Sequence, residues 1–494
     1  MLAVSSLPNG VEARPSMNLA QSSLKLFAAN IASAALQFLG IAYFARELGA
    51  APMGVFFLFQ ALLGMLAIPA DFGLRGAVEK RISEGESPGA FLSSALALKF
   101  VPIAVIMFAI LIFRPLINSY LGADIAILLA VAIIFQEVGQ LSIVVLKGEL
   151  RVGETAVLEV ARQATWVGVG VVFISQGFGP VGLVYGLLAG LGVILVWGWY
   201  KVSVMPERPS REQTRSLFNY SKYNVVSSVG GYFYNWMDVA IIGLFLTQAH
   251  VGAYEIAWRI TSVVILFSRS IASTIFPQIS EWNSAGAQNK IEDLLPQIIT
   301  PSLILVIPAF FGTLLLSEEI LGLVFGSEYT IAALALTILM FDQVTEAVQV
   351  VFGRSLQAVN HPDLAARATI VAVGLNLVLN VVLVREFGIT GAAIATMVAS
   401  LVGGVLLHSY FLSKIISIRV PYRELVGCTL AAMSMVFILL GLRNVIVVNT
   451  MSGLLLSVLI GAVTYGTALL VFPSLRRRIL NQSQEVFGEV PYED

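Results

Sequence analysis

Long apolar runs separated by short polar connections make up most of the chain. About fourteen of these runs reach the roughly 20 residues that an α-helix needs to cross the hydrocarbon core of a bilayer. The predicted spans are 24–46, 53–74, 90–113, 122–146, 154–175, 180–200, 217–246, 251–276, 295–317, 329–353, 364–384, 389–412, 424–442 and 452–472. The pattern therefore predicts an all-α integral membrane protein with about fourteen transmembrane helices.

The composition agrees with membrane insertion and excludes several classes of function. Of the 494 residues, 57% are hydrophobic and 12% are charged, whereas a soluble globular protein carries about 25% charged residues. The net charge of −1 gives no basic excess for binding nucleic acid. Cys428 is the sole cysteine and the three histidines have no metal-motif spacing, so we predict neither a disulfide nor a metal site. The sequence has no P-loop, no GxSxG motif and no polar domain for chemistry, which favours a transporter without a cofactor over an enzyme.

Lysine and arginine residues concentrate in the loops on one side of the predicted spans. About 21 of the 29 lie on the side that holds both termini, and about 4 lie in loops on the other side. Basic loops remain in the cytoplasm. We therefore predict a multi-pass protein of the plasma membrane with both termini cytoplasmic.

An internal repeat relates two parts of the chain. The stretch FQEVGQLSIVVLKGEL (135–150) aligns without gaps on FDQVTEAVQVVFGRSL (341–356), and FGPVG (178–182) matches FGITG (387–391). Spans 1–6 and 7–12 are therefore predicted to form two pseudo-symmetric six-helix bundles, followed by two additional C-terminal helices. The predicted division is a cytoplasmic N-terminal segment (1–23), the first bundle (24–203), a cytoplasmic linker (204–216), the second bundle (217–415), the extra helix pair (416–475) and a cytoplasmic tail (476–494).

Polar side chains recur every three or four residues on several predicted spans, so they form stripes on one helix face. The stripes contain Asn30, Ser33 and Gln37 in span 1, Asn224, Ser227, Asn235 and Asp238 in span 7, and Asn376 and Asn380 in span 11. Lipid offers these groups no partner, so they must face protein or water. They could hydrogen-bond between helices and hold the bundle together. Their equivalent places in both halves favour a shared central cavity.

Charged residues inside the predicted spans mark candidate functional positions. They are Lys99, Arg162, Arg259, Arg269, Asp71, Glu137, Glu159, Asp238, Glu255, Asp342 and Glu346. The spacing predicts local ion pairs of Glu255 with Arg259 and of Glu159 with Arg162. Asp71 and Arg269 occupy equivalent places in spans 2 and 8, and we predict that they meet as part of an inner gate. Because a guanidinium suits bidentate phosphate contacts, Arg259 and Arg269, at different depths, are predicted to bind the phosphate of a cargo.

Two carboxylates one helical turn apart, Asp342 and Glu346, lie in the apolar stretch FDQVTEAVQVVF (341–352). Glu137 and Gln140 align near them through the internal repeat. We predict that this set lines the cavity near the middle of the membrane. The set could hydrogen-bond sugar hydroxyls, bind H⁺ or Na⁺ and couple transport to a gradient, or form a structural network.

Two further stretches carry a resemblance to a known family. FARELGAAPMGVFFLF (44–59) and ADFGLRGAVEKRISEG (70–85) are similar to the polysaccharide-transport branch of the multidrug/oligosaccharidyl-lipid/polysaccharide exporter superfamily. The resemblance covers essentially the whole chain. It implies a V-shaped pair of six-helix bundles that works by alternating access as a flippase, with a sugar on an isoprenoid phosphate or pyrophosphate as its cargo.

The resemblance also bears on the cargo and the source. Flippases of this superfamily tend to have a cationic cavity, whereas the predicted spans here hold more acidic than basic residues, which favours a cargo with few phosphates. The resemblance extends to archaeal members, and by analogy with them such a flippase would supply dolichol-linked sugars for N-glycosylation of surface-layer proteins. If the carboxylates bind an organic cation instead, the protein is a cation-coupled multidrug antiporter. A membrane scaffold of a glycan-assembly complex is the third alternative, although it leaves the polar stripes unexplained.

Overall fold

The computed structural model of the chain describes the backbone of residues 19–443 and 448–478, and the side chains of 28–221, 236–443 and 448–478. Regular structure within these residues is helical, without a β-strand. The α-helices are α1 (Leu19–Leu48), α2 (Ala50–Asp71), α3 (Leu74–Glu84), α4 (Pro88–Ile112), α5 (Arg114–Leu121), α6 (Ala126–Gly148), α7 (Val152–Ser175), α8 (Gly179–Lys201), α9 (Arg211–Phe245), α10 (Gln248–Ser284), α11 (Gln288–Leu303), α12 (Val306–Ile320), α13 (Ala333–Ala358), α14 (Pro362–Ala399), α15 (His408–Ser413), α16 (Tyr422–Leu442) and α17 (Met451–Val471). The predicted all-α fold class is confirmed.

Twelve helical segments among the described residues are long and apolar enough to cross a membrane. The longest, Pro362–Ser413, contains a break at Gly388 (φ 60°, ψ −142°), between the predicted spans 364–384 and 389–412. The predicted seventh span coincides with α9, where Trp236–Phe245 is the apolar part with described side chains. The integral membrane character is confirmed, whereas the count of about fourteen spans stays a prediction.

A left-handed turn ends α2 earlier than the hydropathy predicts. Phe72 and Gly73 have φ values of 48° and 70°, and α3 begins at Leu74. Glycine adopts this conformation readily, whereas a bulky residue such as phenylalanine is strained in it. The apolar run 53–74 passes through the turn, so hydropathy alone does not reveal it. The consequence is a short helix, α3, that buries Leu74, Val78 and Ile82.

The described residues group into two compact units. The first consists of the chain up to Ile41, Leu63–Ser119 and Asp124–Val229; the second consists of Ala42–Leu62, Tyr120–Ala123 and the chain from Gly230 onwards. The start of α2 thus belongs to the second unit and its end to the first. The predicted six-helix bundles and their boundaries stay a prediction.

In the first unit, α7 and α8 pack with their backbones in close approach. A Cβ on Gly186 would lie 2.7 Å from the carbonyl oxygen of Trp166, and a Cβ on Gly190 would lie 2.7 Å from that of Arg162. Small residues at helix interfaces are the usual means of bringing transmembrane helices together. Glycine is therefore required at both positions of α8.

In the second unit, the helix pair α16 and α17 is part of the core. The Tyr465 hydroxyl donates a hydrogen bond of 2.9 Å to the carbonyl oxygen of Ile304. The Glu424 carboxylate accepts hydrogen bonds from Thr300 at 2.5 Å and from Arg478 at 2.6 Å. These contacts attach both helices to the segment formed by α11 and α12.

The start of α2 packs closely on α10 within the second unit. A Cβ on Gly54 would lie 1.7 Å from the carbonyl oxygen of Gln248, and a Cβ on Gly252 would lie 2.1 Å from that of Ala50. The Glu328 carboxylate accepts a hydrogen bond of 2.8 Å from the backbone N–H of Ala50 at the first turn of α2. A carboxylate at this position satisfies a helix N–H group and complements the helix dipole. We call this close approach the α2–α10 seam.

Candidate functional site

A four-residue charge network lies in the first unit. The Lys99 ammonium is 2.6 Å from Asp71 Oδ1 and 2.6 Å from Glu137 Oε2. Arg75 Nη2 lies 2.8 Å from Glu137 Oε1, and Arg75 Nε lies 3.3 Å from Asp71 Oδ1. The Glu137 side chain is fully buried and that of Lys99 is 3% exposed. Two cations therefore neutralise two carboxylates, and removing one partner would leave an uncompensated buried charge.

Arg75 is a member of this network that the sequence analysis missed. The predicted span ends at residue 74, which places Arg75 in a polar connection. Arg75 follows Asp71 by four residues, a spacing that predicts an ion pair only when both residues lie on one helix. The turn at Gly73 and the start of α3 bring Arg75 to Asp71, which a hydropathy pattern does not encode.

The predicted gate partners belong to different units. Asp71 lies in the first unit and contacts Arg75 and Lys99. Arg269 lies in the second unit, where its Nη2 is 3.1 Å from Glu346 Oε1. Each residue therefore has a partner inside its own unit, and the pairing of Asp71 with Arg269 stays a prediction.

Asp238 is the centre of a polar cluster in the second unit. Its Oδ2 accepts hydrogen bonds from the Tyr254 hydroxyl at 2.6 Å and from the Thr396 hydroxyl at 2.7 Å. Its Oδ1 accepts a hydrogen bond of 2.8 Å from Asn380 Nδ2. Asn376 Nδ2 in turn donates to the Thr396 hydroxyl at 3.1 Å. The consecutive helices α9 and α10 and the distant helix α14 thus supply one cluster.

Two amide oxygens in this cluster are buried without a partner. Oδ1 of Asn376 and Oδ1 of Asn380 have no hydrogen-bond partner among the described residues. A cavity of about 20 Å³ adjoins Asp238, Tyr254 and Asn376, which is enough room for one water molecule. Buried polar atoms are almost always satisfied, so the unpaired oxygen of Asn376, which lines this cavity, marks a place for a water molecule or a small cation.

The donor set of the Asp238 cluster suits a hard cation or a proton. A carboxylate, amide carbonyls and a hydroxyl are oxygen ligands, which hard cations prefer. Among the described residues, no basic side chain lies within 4.0 Å of the Asp238 carboxylate, and its hydrogen-bond partners are neutral donors. Asp238, Asn376 and Thr396, which line the cavity, are therefore the residues that could hold such a cation, and Asn380 orients Asp238.

Arg259 is held by an acid, an amide and an aromatic ring. Its Nη2 is 2.9 Å from Glu255 Oε1, which confirms the predicted local pair, and 3.3 Å from Gln60 Oε1. The guanidinium lies 5.0 Å from the ring centroid of Phe57. The predicted pair of Glu159 and Arg162 is also present. The contacts from α2 to Arg259 could not be expected from local spacing.

The two carboxylates of α13 have different surroundings. Glu346 pairs with Arg269, whose side chain is 56% exposed. Asp342 is buried and accepts a hydrogen bond of 3.1 Å from the Thr345 hydroxyl, which also contacts the Ser400 hydroxyl at 2.7 Å. One helical turn therefore separates a carboxylate paired with a base from a carboxylate bonded to hydroxyl groups.

The other predicted site residues are dispersed. Gln140 is half-buried on α6 and Gln37 is exposed on α1. Asn224 and Asn235 lie outside the residues whose side chains the structure describes. The structure thus brings Asp238 together with α14, Glu346 with Arg269, and Glu137 with Lys99, and does so in separate clusters.

Comparisons with known proteins agree with this architecture. The family described as "polysaccharide biosynthesis protein" matches residues 43–334. The chain is 56% identical over 460 residues to the probable low-salt glycan biosynthesis flippase Agl15 of Haloferax volcanii, covering 93% of this chain and 97% of that protein.

Two solved structures share the fold. The lipid II flippase MurJ in its inward closed conformation superposes with a TM-score of 0.77 at 17% identity, covering 92% of this chain and 98% of that chain. An inward-facing multidrug resistance transporter of the MATE family superposes with a TM-score of 0.59 at 18% identity, covering 77% and 94%. At these identities the likeness concerns the fold alone, and the fold is shared by a flippase and a drug transporter.

Proposed function

This chain belongs to the polysaccharide biosynthesis protein family, and from that premise we propose that it moves a lipid-linked sugar from the cytoplasmic to the outer leaflet. The resemblance seen in FARELGAAPMGVFFLF (44–59) is thereby confirmed. The observation that carries the proposal is the 56% identity, along 93% of the chain, to a probable glycan biosynthesis flippase. The protein is a transporter rather than an enzyme.

The cargo is a sugar or oligosaccharide on a polyprenyl or dolichyl phosphate or pyrophosphate. Arg259 and Arg269 bind its phosphate. Arg269 supports this role because its side chain is largely exposed and Glu346 contacts it through one nitrogen, which leaves other N–H donors of the guanidinium for an anion. Asp342 and Glu346 contact sugar hydroxyls.

Transport is coupled to H⁺ or Na⁺ at Asp238. The support is the unpaired amide oxygen of Asn376, which lines the cavity at Asp238, together with a carboxylate whose partners are neutral. Glu255 also adjoins the cavity at Asp238 and pairs with Arg259. A cation in that cavity would attract the Glu255 carboxylate and weaken its hold on Arg259. Cation entry and phosphate release are thereby linked.

The protein lies in the plasma membrane with both termini cytoplasmic, as the loop charges indicate. The glycan that it supplies is attached at the cell surface, for example to S-layer glycoproteins.

The test is a side-resolved measurement of lipid-linked sugars in cells depleted of the protein. Wild type, Arg259→Ala and Arg269→Ala are compared with Arg162→Ala, which removes a paired arginine of α7 in the first unit. We expect a phosphoisoprenoid sugar to accumulate on the cytoplasmic face and wild type and Arg162→Ala to relieve it. A charge-assisted hydrogen bond contributes about 1.5–3 kcal/mol, so its loss in Arg259→Ala or Arg269→Ala should lower the transport rate by roughly 10- to 150-fold.

An unchanged distribution of lipid-linked sugars on depletion would overturn this function. Cation-driven efflux of drugs by wild type, abolished in Asp238→Asn, would then establish the multidrug antiporter. An unchanged distribution of lipid-linked sugars together with full complementation of the glycan defect by every variant would point to the scaffold.

A further inference from the structure

The guanidinium of Arg259 contacts one carboxylate and two uncharged groups. Glu255 supplies the one carboxylate, on the same helix. Gln60 and Phe57 come from α2, with Gln60 distant by 199 residues in sequence. An amide oxygen and an aromatic ring attract a cation without cancelling its charge. They can therefore fix the orientation of Arg259 without adding a second negative charge to that of Glu255.

The orientation of an arginine decides how well it binds phosphate. Bidentate contacts require two N–H groups of the planar guanidinium to face the two oxygens. Glu255 and Gln60 both contact Nη2 of Arg259. Its Nε is buried and has no hydrogen-bond partner among the described residues. The N–H groups of Nη1 are therefore the donors left for an anion, and their place is set by the ring of Phe57 and the amide of Gln60.

The α2–α10 seam determines where these two side chains lie. Phe57 follows Gly54 by three residues and Gln60 follows it by six, so all three lie near one face of α2. At Gly54 the backbones of α2 and α10 are too close to accept a Cβ. A shift of α2 along or away from α10 therefore changes both contacts to Arg259 together.

We propose that Phe57 and Gln60 are positioning residues, which hold the Arg259 guanidinium in the orientation that binds the phosphate of the lipid-linked cargo. The assignment rests on the proposed function, in which Arg259 is a phosphate ligand. If the assignment holds, the affinity for phosphate depends on how closely α2 packs on α10 at the α2–α10 seam.

The test compares binding of farnesyl phosphate and of farnesol to the purified full-length protein. The two probes differ in the phosphate, so the ratio of their Kd values measures phosphate recognition. We expect wild type to prefer farnesyl phosphate and Arg259→Ala to lose the preference. Gln60→Leu and Phe57→Leu should each lower it by about 3- to 10-fold, as expected for one hydrogen bond or cation–π contact.

Three controls separate positioning from a structural effect. Phe59→Leu makes the same change at an equally buried position of α2 and should keep the preference. Phe57→Tyr retains the ring and should restore it. In the Arg259→Ala background, Gln60→Leu should cause no further loss, because a residue that acts through Arg259 has nothing left to position.

Each failure has its own signature. Equal binding of both probes by wild type would overturn phosphate recognition and this assignment with it. A wild-type preference that depends on Arg259 but survives in Gln60→Leu and Phe57→Leu would overturn the assignment alone. Equal losses with and without Arg259 would show that the two α2 residues act on the fold.

Discussion

Tyr254 and Glu255 are consecutive residues of α10 whose side chains contact two different charged groups. The Tyr254 hydroxyl donates to Asp238 Oδ2 at 2.6 Å, and Glu255 Oε1 lies 2.9 Å from Arg259 Nη2. A ligand at Asp238 that shifts the backbone at Tyr254 also shifts Glu255. One peptide unit therefore joins the proposed cation site to the proposed phosphate ligand.

Asp238→Asn should remove the response of the protein to the coupling cation. A ligand that binds the folded state at 100 times its Kd stabilises that state by about 2.7 kcal/mol. We expect Na⁺, compared with choline at equal ionic strength, or a change of pH if the ion is H⁺, to shift the Tm of wild type by about 3 °C. The variant should show neither shift in thermal unfolding of the purified protein.

The matched control is Asp342→Asn, the same change at another buried carboxylate of the second unit. Asp342 contacts Thr345 and lacks the adjoining unpaired amides of Asn376 and Asn380. It should keep the wild-type response. A full response in Asp238→Asn would place the cation elsewhere.

Lys99→Met should destabilise the first unit strongly. It leaves Asp71 and Glu137, both buried, with Arg75 as their remaining described cation. Breaking a buried ion pair costs about 3–5 kcal/mol because a charge loses its compensation. The measurement is the Tm and the yield of folded protein in detergent.

Adding Glu137→Gln to Lys99→Met should recover much of this loss. The double variant removes one positive and one negative charge, so Arg75 and Asp71 remain as a neutral pair. Equal stability of Lys99→Met and wild type would mean that the network contributes nothing. A double variant less stable than the single one would show that charge balance is not its role.

Gly190→Ala should destabilise the pairing of α7 and α8. The added Cβ would lie 2.7 Å from the carbonyl oxygen of Arg162, so the helices must separate. Overpacking of this kind costs about 1–3 kcal/mol. Gly168→Ala, on α7, is the control, because its Cβ meets nothing within 4 Å. Thermal unfolding of both variants should reveal a decrease for Gly190→Ala alone.

The hydropathy pattern predicted the helices well because the bilayer requires apolar helical segments. Every backbone polar group in lipid must be satisfied within its own segment, so apolar runs of sufficient length become helices. The points where helices break could not be predicted from the hydropathy pattern. Gly388 breaks α14 and Phe72–Gly73 ends α2 through backbone conformation, which leaves no trace in the apolar pattern around them.

The candidate site was predictable only where its contacts are local. Glu255 and Arg259 are four residues apart on one helix, and their pairing followed from that spacing. The bonds from Asp238 to Asn380 and Thr396 join residues 142 and 158 apart in sequence. The packing of the helices determines which residues form such long-range pairs. A polar stripe in the sequence indicates only that its side chains need hydrogen-bond partners.

Gly54→Ala should lower phosphate recognition without touching Arg259. The new Cβ would lie 1.7 Å from the carbonyl oxygen of Gln248, which forces α2 away from α10. We expect the preference for farnesyl phosphate over farnesol to fall at least as far as in Gln60→Leu. Gly312→Ala, whose Cβ meets nothing within 4 Å, should leave the preference unchanged. An unaltered preference in Gly54→Ala would show that the α2–α10 seam does not affect phosphate recognition by Arg259.

The hydrogen bond between Ala50 and Glu328 can form only late in the synthesis of the chain. The two residues are 278 positions apart, so at about 5–20 residues per second the ribosome makes Glu328 roughly 15–55 s after Ala50. Throughout that interval the first two helices stay in the membrane while the cap of α2 has not been synthesised. A nascent chain arrested before residue 328 must therefore keep the first turn of α2 unfinished, however completely its helices have been inserted.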